Sequence, residues 1–449
     1  MLLLSMLTIA AALAQAAPVP GTFAITHVTV IDGSDPSPRP DETVVVRGNR
    51  IVAVGAAART PVPSGARVLS GRGKFLIPGL WDMHVHTVTP AGREMLGLYV
   101  ANGVLGIRDL AGEWDQITRW RAEIAAGRLA GPRILASGPY LEGGDVPIAH
   151  LLARNPDEAR KAVDSLARLG VDVIKLHSQF NREAYFAAAR AARERGLRVA
   201  GHVPRSITPA EASDSGVGSI EHMLQIPIPC TAAESLALLP RFPIQRVLGG
   251  CTSADLAPLF ARFVRNGTWV VPTLTAAYEI ALWPRRELPG DKFAGFLPDT
   301  LRKFVLSIFP MPADVPPGAD EVGRALFEKR LVLVGMMHRA GVGILPGTDA
   351  PLRNSPPGFG LHQELALLAR AGIPPFQVLR IATYEPARYF GMLDSLGTIA
   401  VGKVADLVLL GADPLVDIGN TGRIEAVVAN GRLMDAKARR ALLRSEPPE

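Results

Sequence analysis

Between residues 76 and 349 the chain alternates short apolar segments with amphipathic stretches, and this alternation restricts the fold more than any other feature. The strand candidates are residues 76–87, 104–110, 133–140, 171–177, 198–203, 219–223, 269–275 and 343–349. Stretches with helical periodicity lie between most of them, as at 156–169 and 182–195. Asn155 followed by Pro156 reads as an N-cap with proline at the first helical position. Eight strands alternating with helices is the count of a TIM-type (β/α)8 barrel, so we expect an α/β chain built on one.

Two connections exceed the regular unit. Residues 226–266 hold both cysteines, and residues 276–340 are rich in proline and in aromatics (Tyr278, Trp283, Phe293, Phe296, Phe309). Long loops that follow barrel strands gather at the C-terminal mouth, where active sites are built. Both inserts are therefore read as walls or lids of a substrate pocket. For the second, an extra helical hairpin packed outside the barrel is the alternative.

The two ends of the chain have a different pattern. Residues 22–70, 397–410 and 424–432 are rich in Val and Ile, and Gly48-Asn49 between two such runs signals a hairpin. We expect one small composite β-sandwich domain drawn from both termini. The expected boundaries are 1–16 for a signal peptide, 17–75 for the N-terminal part of the β domain, 76–394 for the barrel, and 395–449 for the C-terminal part and tail.

Residues 1–20 carry no charged side chain; an apolar run from Leu2 to Leu13 precedes Ala14-Gln15-Ala16. That is the h-region and small-x-small ending of a secretory signal, although only the α-amino group supplies the basic n-region. The run is shorter than the ~20 apolar residues of a membrane span. We expect an exported, periplasmic or secreted enzyme with no membrane span after cleavage. In that compartment Cys230 and Cys251 read as one local disulfide, with two buried thiols as the alternative. At 449 residues and 48% hydrophobic, the chain can bury a large core. Its net charge of +6 is spread over scattered arginines, so no nucleic-acid partner is expected; homo-oligomerisation is left open.

The chemistry-bearing residues follow the strand pattern. In the first candidate, Asp82, His84 and His86 fall at every second position and so leave one face of a strand. Two imidazoles at that spacing suit a shared metal ion. The later candidates end in Lys175 and His177, His202, Glu221-His222, and Asp349. Any one of these alone is more often a satisfied core or capping residue. Their joint placement at strand C-termini, around one small ring, carries the metal-site reading.

These segments resemble the amidohydrolase superfamily, in particular its imidazolonepropionase-like and prolidase-like exported members. The signatures are PGLWDMHVHT at 78–87, GIRDL at 106–110, VIKLH at 173–177, GHV at 201–203, SIEHM at 219–223 and GTDA at 347–350, with TYEPARYFGM (383–392) and GKVADLVLL (402–410) near the end. The resemblance implies a distorted (β/α)8 barrel with a small composite β domain. It implies that His84, His86 and Asp349 hold one divalent ion and His202 and His222 a second, most simply zinc. It also implies that Lys175 is carbamylated and bridges the two. A protonated ammonium cannot ligate a cation, and the carbamate removes that obstacle.

Two ions sharing a water would lower its pKa toward neutrality, and Asp349 would move the proton to a leaving amine. The implied activity is a metal-dependent hydrolase of an amide or cyclic amide bond in a small or dipeptide-like substrate. Alternatives are a mononuclear deaminase of the same superfamily, an Xaa-Pro dipeptidase or carboxypeptidase-type peptidase, and a non-catalytic exported binding protein. Substrate contacts are assigned to His177, Tyr140 and Arg205, each with a solvated or structural role as the alternative. Prolidase-like relatives place a His-Gly pair after the third strand where this chain reads SGPYLEGG, a departure from the peptide-cleaving members. Asp82 is a candidate acceptor for a histidine ring or a buried structural carboxylate. Export predicts that the native protein begins at Ala17. Mass spectrometry that finds Met1 retained would sink this reading.

Overall fold

The computed structural model describes residues 21–87, 89–146, 150–223, 226, 253–282, 288–308 and 319–443. The segment read as a leader, both Cys230 and Cys251, and the aromatics Trp283 and Phe309 lie outside the described residues. Five strands come first: β1 (Phe23–Val30), β2 (Arg39–Arg47), β3 (Arg50–Ala56), β4 (Arg67–Ser70) and β5 (Phe75–Pro78). β2 and β3 form the expected hairpin, with Arg47 opposite Arg50 and Gly48 in the left-handed region at φ +62 that this tight turn requires.

The run 76–87 splits at Gly79 and serves two sheets. β5 pairs with β1, with Leu76 opposite Val30, whereas β6 (Leu80–Val85) pairs in parallel with β7 (Val104–Asp109). Pro78 has no N–H to continue a ladder, and a Cβ on Gly79 would lie 2.7 Å from that of Leu105. β8 (Arg133–Ala136) follows β7. The third candidate therefore ends at Ala136, and Gly138 at φ +63 turns the chain so that Tyr140 opens β9 (Tyr140–Glu142). β9 pairs with β10 (His150–Leu152) and touches β11 (Val173–Leu176). Then β12 (Arg198–Gly201), β13 (Ser219–Glu221) and β14 (Trp269–Val271) continue the parallel ladder.

Backbone hydrogen bonds close these strands into a ring. At one seam Asp172 N donates to Ala136 O at 2.9 Å, joining β8 to β11. At the other, the eighth segment makes only isolated bridges, Ile344 to Val270 and Ala350 to Val85. Met83 N donates to Pro346 O and Asp349 N to His84 O, each at 2.8 Å. Proline, glycine and a left-handed Asp349 (φ +60) prevent a regular strand there while still closing the barrel. The distortion falls where the chemistry-bearing residues sit, because the β6–β7 register also shifts between Asp82 and Val85.

Helices cover the outside of the ring. The Asn155 side chain accepts from the N–H groups of Asp157 and Glu158 to start helix Pro156–Leu169, as its sequence predicts. Helix Arg182–Glu194 buries Ala184, Ala188, Ala191 and Ala192, small residues that let it lie close to the sheet. In the second long insert, helices Leu274–Leu282 and Ala319–Arg339 pack together, with Tyr278 edge-on to Phe327 at 4.9 Å. The short 3-10 turn Pro289–Phe296 is fastened to the loop after the eighth segment. Arg353 pairs with Asp291 at 2.7 Å, and Gly290 N donates to the Asn354 side chain at 3.0 Å.

The chain then returns to the first sheet through β15 (Leu407–Leu410), β16 (Ile424–Ala429) and β17 (Arg432–Met434). The sheet order is β17-β16-β15-β5-β1-β2-β3, with β4 beside β1. Its core mixes Phe23, Ile25, Val44 and Val46 with Leu407, Leu409 and Val428. The closing helix Ala436–Leu443 is pinned by Arg439, which donates to Ala101 O and Ile424 O. Among the described residues no helix is long and apolar enough to cross a membrane.

A Cβ on Gly347 would press into Val271 and lie 2.9 Å from that of His84. Gly347→Ala is expected to destabilise by about 1–3 kcal/mol through overpacking. The lower thermal transition should be visible by calorimetry, and an unchanged transition would show that the eighth segment yields freely.

Candidate metal centre

β6 and the eighth segment bring together the residues of the first candidate ion site. His86 Nε2 lies 2.9 Å and His84 Nε2 3.3 Å from Asp349 Oδ1. One ligand atom from each of His84, His86 and Asp349 falls within 4.8 Å of the others, a grouping able to hold a divalent ion. The other two histidines adjoin them. The rings of His84 and His222 are 4.7 Å apart and those of His222 and His202 4.8 Å. His177 continues the row, 4.5 Å from His202. Thus strands β6, β11, β12, β13 and the eighth segment deliver their polar ends to one place.

Three of the imidazoles are held neutral. Burial pushes His84 and His202 well below the ordinary histidine range and His222 down to about 4. Neutral imidazole is the form that binds metal. Each ring is also oriented through Nδ1: His84 to Glu221 Oε2 at 2.8 Å, His202 to Ser178 Oγ at 2.6 Å, and His222 to Thr273 Oγ1 at 2.7 Å. Because a carboxylate only accepts, Nδ1–H of His84 donates to Glu221 and leaves Nε2 with its lone pair free. That buried Nε2 has no hydrogen-bond partner among the described residues.

Lys175 is 1% exposed, and its ammonium nitrogen likewise has no hydrogen-bond partner among the described residues. Burial lowers its pKa to about 8, against the opposing pull of Glu221 and Asp349. β11 sets it opposite Ala200 of β12, two residues before His202. Asp349 is the reverse case. Burial would raise its pKa, but the charges of His222, His86 and Lys175 and the hydrogen bond from His86 hold it below the usual carboxylate range. His222, Asp349 and Thr273 all have positive φ (+61, +60 and +45), strain that non-glycine residues sustain only where their surroundings enforce it.

A buried ion pair that the sequence reading missed supports this cluster. Arg108 Nη2 donates to Glu221 Oε1 at 2.7 Å, and both side chains are 0% exposed. Ser219 donates to the same oxygen, and Arg108 Nε donates to Met83 O at 2.6 Å, one residue before His84. The next residue, Asp109, accepts from Thr87 N at 2.7 Å, one residue after His86. Adjacent residues of β7 therefore clamp both flanks of the His-Val-His segment. A charge inside the otherwise apolar stretches GIRDL and SIEHM was the available signal. Asp82 has the structural role. Its carboxyl accepts from Thr348 N and Oγ1, and burial raises it to about 7, so Glu221 rather than Asp82 is the acceptor for the His84 ring.

The residues read as substrate contacts part company. Tyr140 is buried, its ring lies 4.6 Å from that of His177, and its hydroxyl has no hydrogen-bond partner among the described residues. His177 is held through Nδ1 by Glu142, a second acceptor the sequence reading did not name. Arg205 is exposed beyond β12.

The chain is similar to proteins of the amidohydrolase family. The amidohydrolase family model matches residues 306–434. Imidazolonepropionase of Mesorhizobium japonicum is 25% identical over 401 residues, covering 82% of this chain and 85% of that protein. Its counterpart from Rhizobium meliloti is 26% identical over 402 residues, with 83% and 86% covered. Among solved structures, a bottromycin amidohydrolase superposes with a TM-score of 0.74 at 23% identity, covering 96% of this chain and 91% of that one. A Xaa-Pro dipeptidase with methionine bound in its active site gives 0.67 at 21% identity, with 93% and 100% covered. These two structures share the fold.

Removing Arg108 alone would leave the Glu221 carboxylate buried and unpaired. Arg108→Met should cost about 3–5 kcal/mol, and Arg108→Met with Glu221→Gln should recover a large part of it. Denaturant titration of both variants and of Glu221→Gln measures the coupling. Additive losses would mean that the pair does not act as a unit.

Proposed function

We propose, from the premise that this chain belongs to the amidohydrolase superfamily and hydrolyses carbon–nitrogen bonds, that it uses two divalent ions held by a carbamylated lysine. The observation that carries this reading is Lys175, buried on the strand that adjoins β12, with a nitrogen that has no hydrogen-bond partner among the described residues and a pKa lowered to about 8. A depressed pKa makes the neutral amine accessible, and that amine adds to carbon dioxide with loss of one proton, giving a carbamate. His84, His86 and Asp349 would hold one ion, His202 and His222 the other, and the Lys175 carbamate would reach both. Imidazole and carboxylate donors suit zinc, with manganese or cobalt as the other candidates. Such ions lower the pKa of water and polarise a carbonyl oxygen when bound.

The chain's own residues supply the remaining steps. Asp349, a carboxylate at neutral pH, takes a proton from the attacking water and returns it to the leaving nitrogen. The C–N bond then breaks as the amine departs neutral, leaving a carboxylic acid. Glu221 and Arg108 keep the His84 ring in place, while Tyr140 and His177 face a substrate seated beside His202. Small cyclic amides, N-acyl amino acids and Xaa-Pro dipeptides are the substrate candidates, the first and last from the names of the relatives.

Protein loaded with zinc in the presence of bicarbonate is expected to hold two ions per chain by elemental analysis. Asp349→Asn should lower turnover by at least about 100-fold while keeping much of the metal. Lys175→Ala should lose both metal and activity. One tightly held ion with an active Lys175→Ala variant would favour the mononuclear deaminase reading instead.

A further inference from the structure

Helix Phe359–Arg370 buries one acid among its leucines. Leu361, Leu365 and Leu368 are buried on the side it packs, and Glu364 falls three residues after Leu361 and four before Leu368. That spacing puts Glu364 on the same apolar stripe, where it is 0% exposed. A buried carboxylate needs strong donors, and here they are the opening backbone N–H groups of the neighbouring helix, Leu274–Leu282. Leu274 N donates to Glu364 Oε1 at 2.9 Å and Thr275 N to Oε2 at 2.8 Å. Thr275 Oγ1 adds a third bond at 3.2 Å. Among the described residues no cation pairs with Glu364, and the positive end of the helix dipole takes that place.

Thr273 is the residue on which this clamp acts. Its carbonyl accepts from Ala277 N at 2.9 Å, the first bond of the helix, so Thr273 is the N-cap. An N-cap threonine ordinarily lies in extended backbone and gives its side-chain oxygen to an N–H of the first turn. Thr273 departs on both counts. Its φ is +45, and its Oγ1 lies 2.7 Å from Nδ1 of His222. Glu364 caps the helix from outside and so frees the hydroxyl for the histidine. Its bonds to the two residues that follow also hold Thr273 in a left-handed conformation that is strained for a β-branched residue. Thr275 Oγ1 reaches further, to Thr348 O at 3.3 Å, one residue before Asp349.

We propose that Glu364 is a positioning residue for the metal centre. By capping helix Leu274–Leu282 in place of Thr273, it commits the Thr273 hydroxyl to accept from Nδ1–H of His222 and leaves Nε2 as the ion-binding nitrogen. The inference rests on the two-ion reading and deepens it. Glu364 acts through Thr273 and bonds no candidate ligand among the described residues. Glu364→Gln sets an amide donor against a backbone N–H and breaks the cap at nearly constant volume. The Thr273 hydroxyl then turns to its own helix, and His222 loses the acceptor that fixes its tautomer.

Nitrogen NMR of isotope-labelled histidine in the metal-free full chain reads that tautomer, with His222→Gln assigning the signal. Wild-type His222 should carry its proton on Nδ1. Glu364→Gln and Thr273→Val should each shift it to a mixture of tautomers, and Thr273→Ser should keep the wild-type form. Chelator competition on the zinc-loaded chain should show one of the two ions held about 10- to 100-fold more weakly in Glu364→Gln and Thr273→Val. A thermal melt of each variant reads the stability lost with the cap, and Glu364→Asp gives the same comparison should Glu364→Gln not fold. A lower transition in Glu364→Gln with the tautomer and both zinc affinities unchanged overturns the proposal, as does wild-type His222 protonated on Nε2. Failure of the two-ion reading looks different. The wild-type chain would then hold one ion while the His222 tautomer still followed Glu364. Two ions with a tautomer indifferent to Glu364 would remove the positioning role and leave the metal centre standing.

Discussion

The Arg108–Glu221 pair is the contact on which the site depends. Both charges are fully buried, so neither has water to fall back on, and each needs the other. Glu221 spends one oxygen on Arg108 and Ser219 and the other on the His84 ring. Arg108 in turn grips the backbone of Met83. The pair thus ties β7 and β13 to β6 and fixes the tautomer of His84 by the same geometry. A residue that only filled space could tie the strands, but it could not set where the proton sits on His84.

The sequence made the strand ends legible and left their supports hidden. Alternation of apolar and helical segments indicated the barrel, because parallel strands in that fold must be buried on both faces and read as apolar runs. The ligand candidates stood out as polar residues closing those runs, and five strand ends do converge. Two boundaries were not legible. Leu76–Ile77 looks like the start of the first barrel strand, yet β5 belongs to the other sheet, because the switch depends on the close approach of Gly79 to Leu105. Residues 343–349 look like a strand but contain Pro346 and Gly347, and the bridges that replace the ladder are set by distant partners.

The ring partners Glu221, Ser178, Thr273 and Glu142 were missed for a related reason. Each acts on a histidine donated by another strand or loop, and which residue faces which follows from barrel stagger rather than from local spacing. Asp82 shows the same limit from the other side. It alternates with His84 and His86, which suggests a shared task, yet its carboxyl turns to Thr348 and serves the barrel seam.

The electrostatics of the cluster have one direction. Burial drives three histidines neutral and brings a lysine down to about 8, whereas Asp349 stays charged against the same penalty. A site meant only to be stable would not assemble four nitrogen bases around one carboxylate and leave the lysine nitrogen and His84 Nε2 without hydrogen-bond partners among the described residues. Such a set of lone pairs is poorly satisfied by protein groups and well satisfied by cations. The positive φ of His222 and Asp349 fits that account, because the strain holds two donors in place before any ligand arrives.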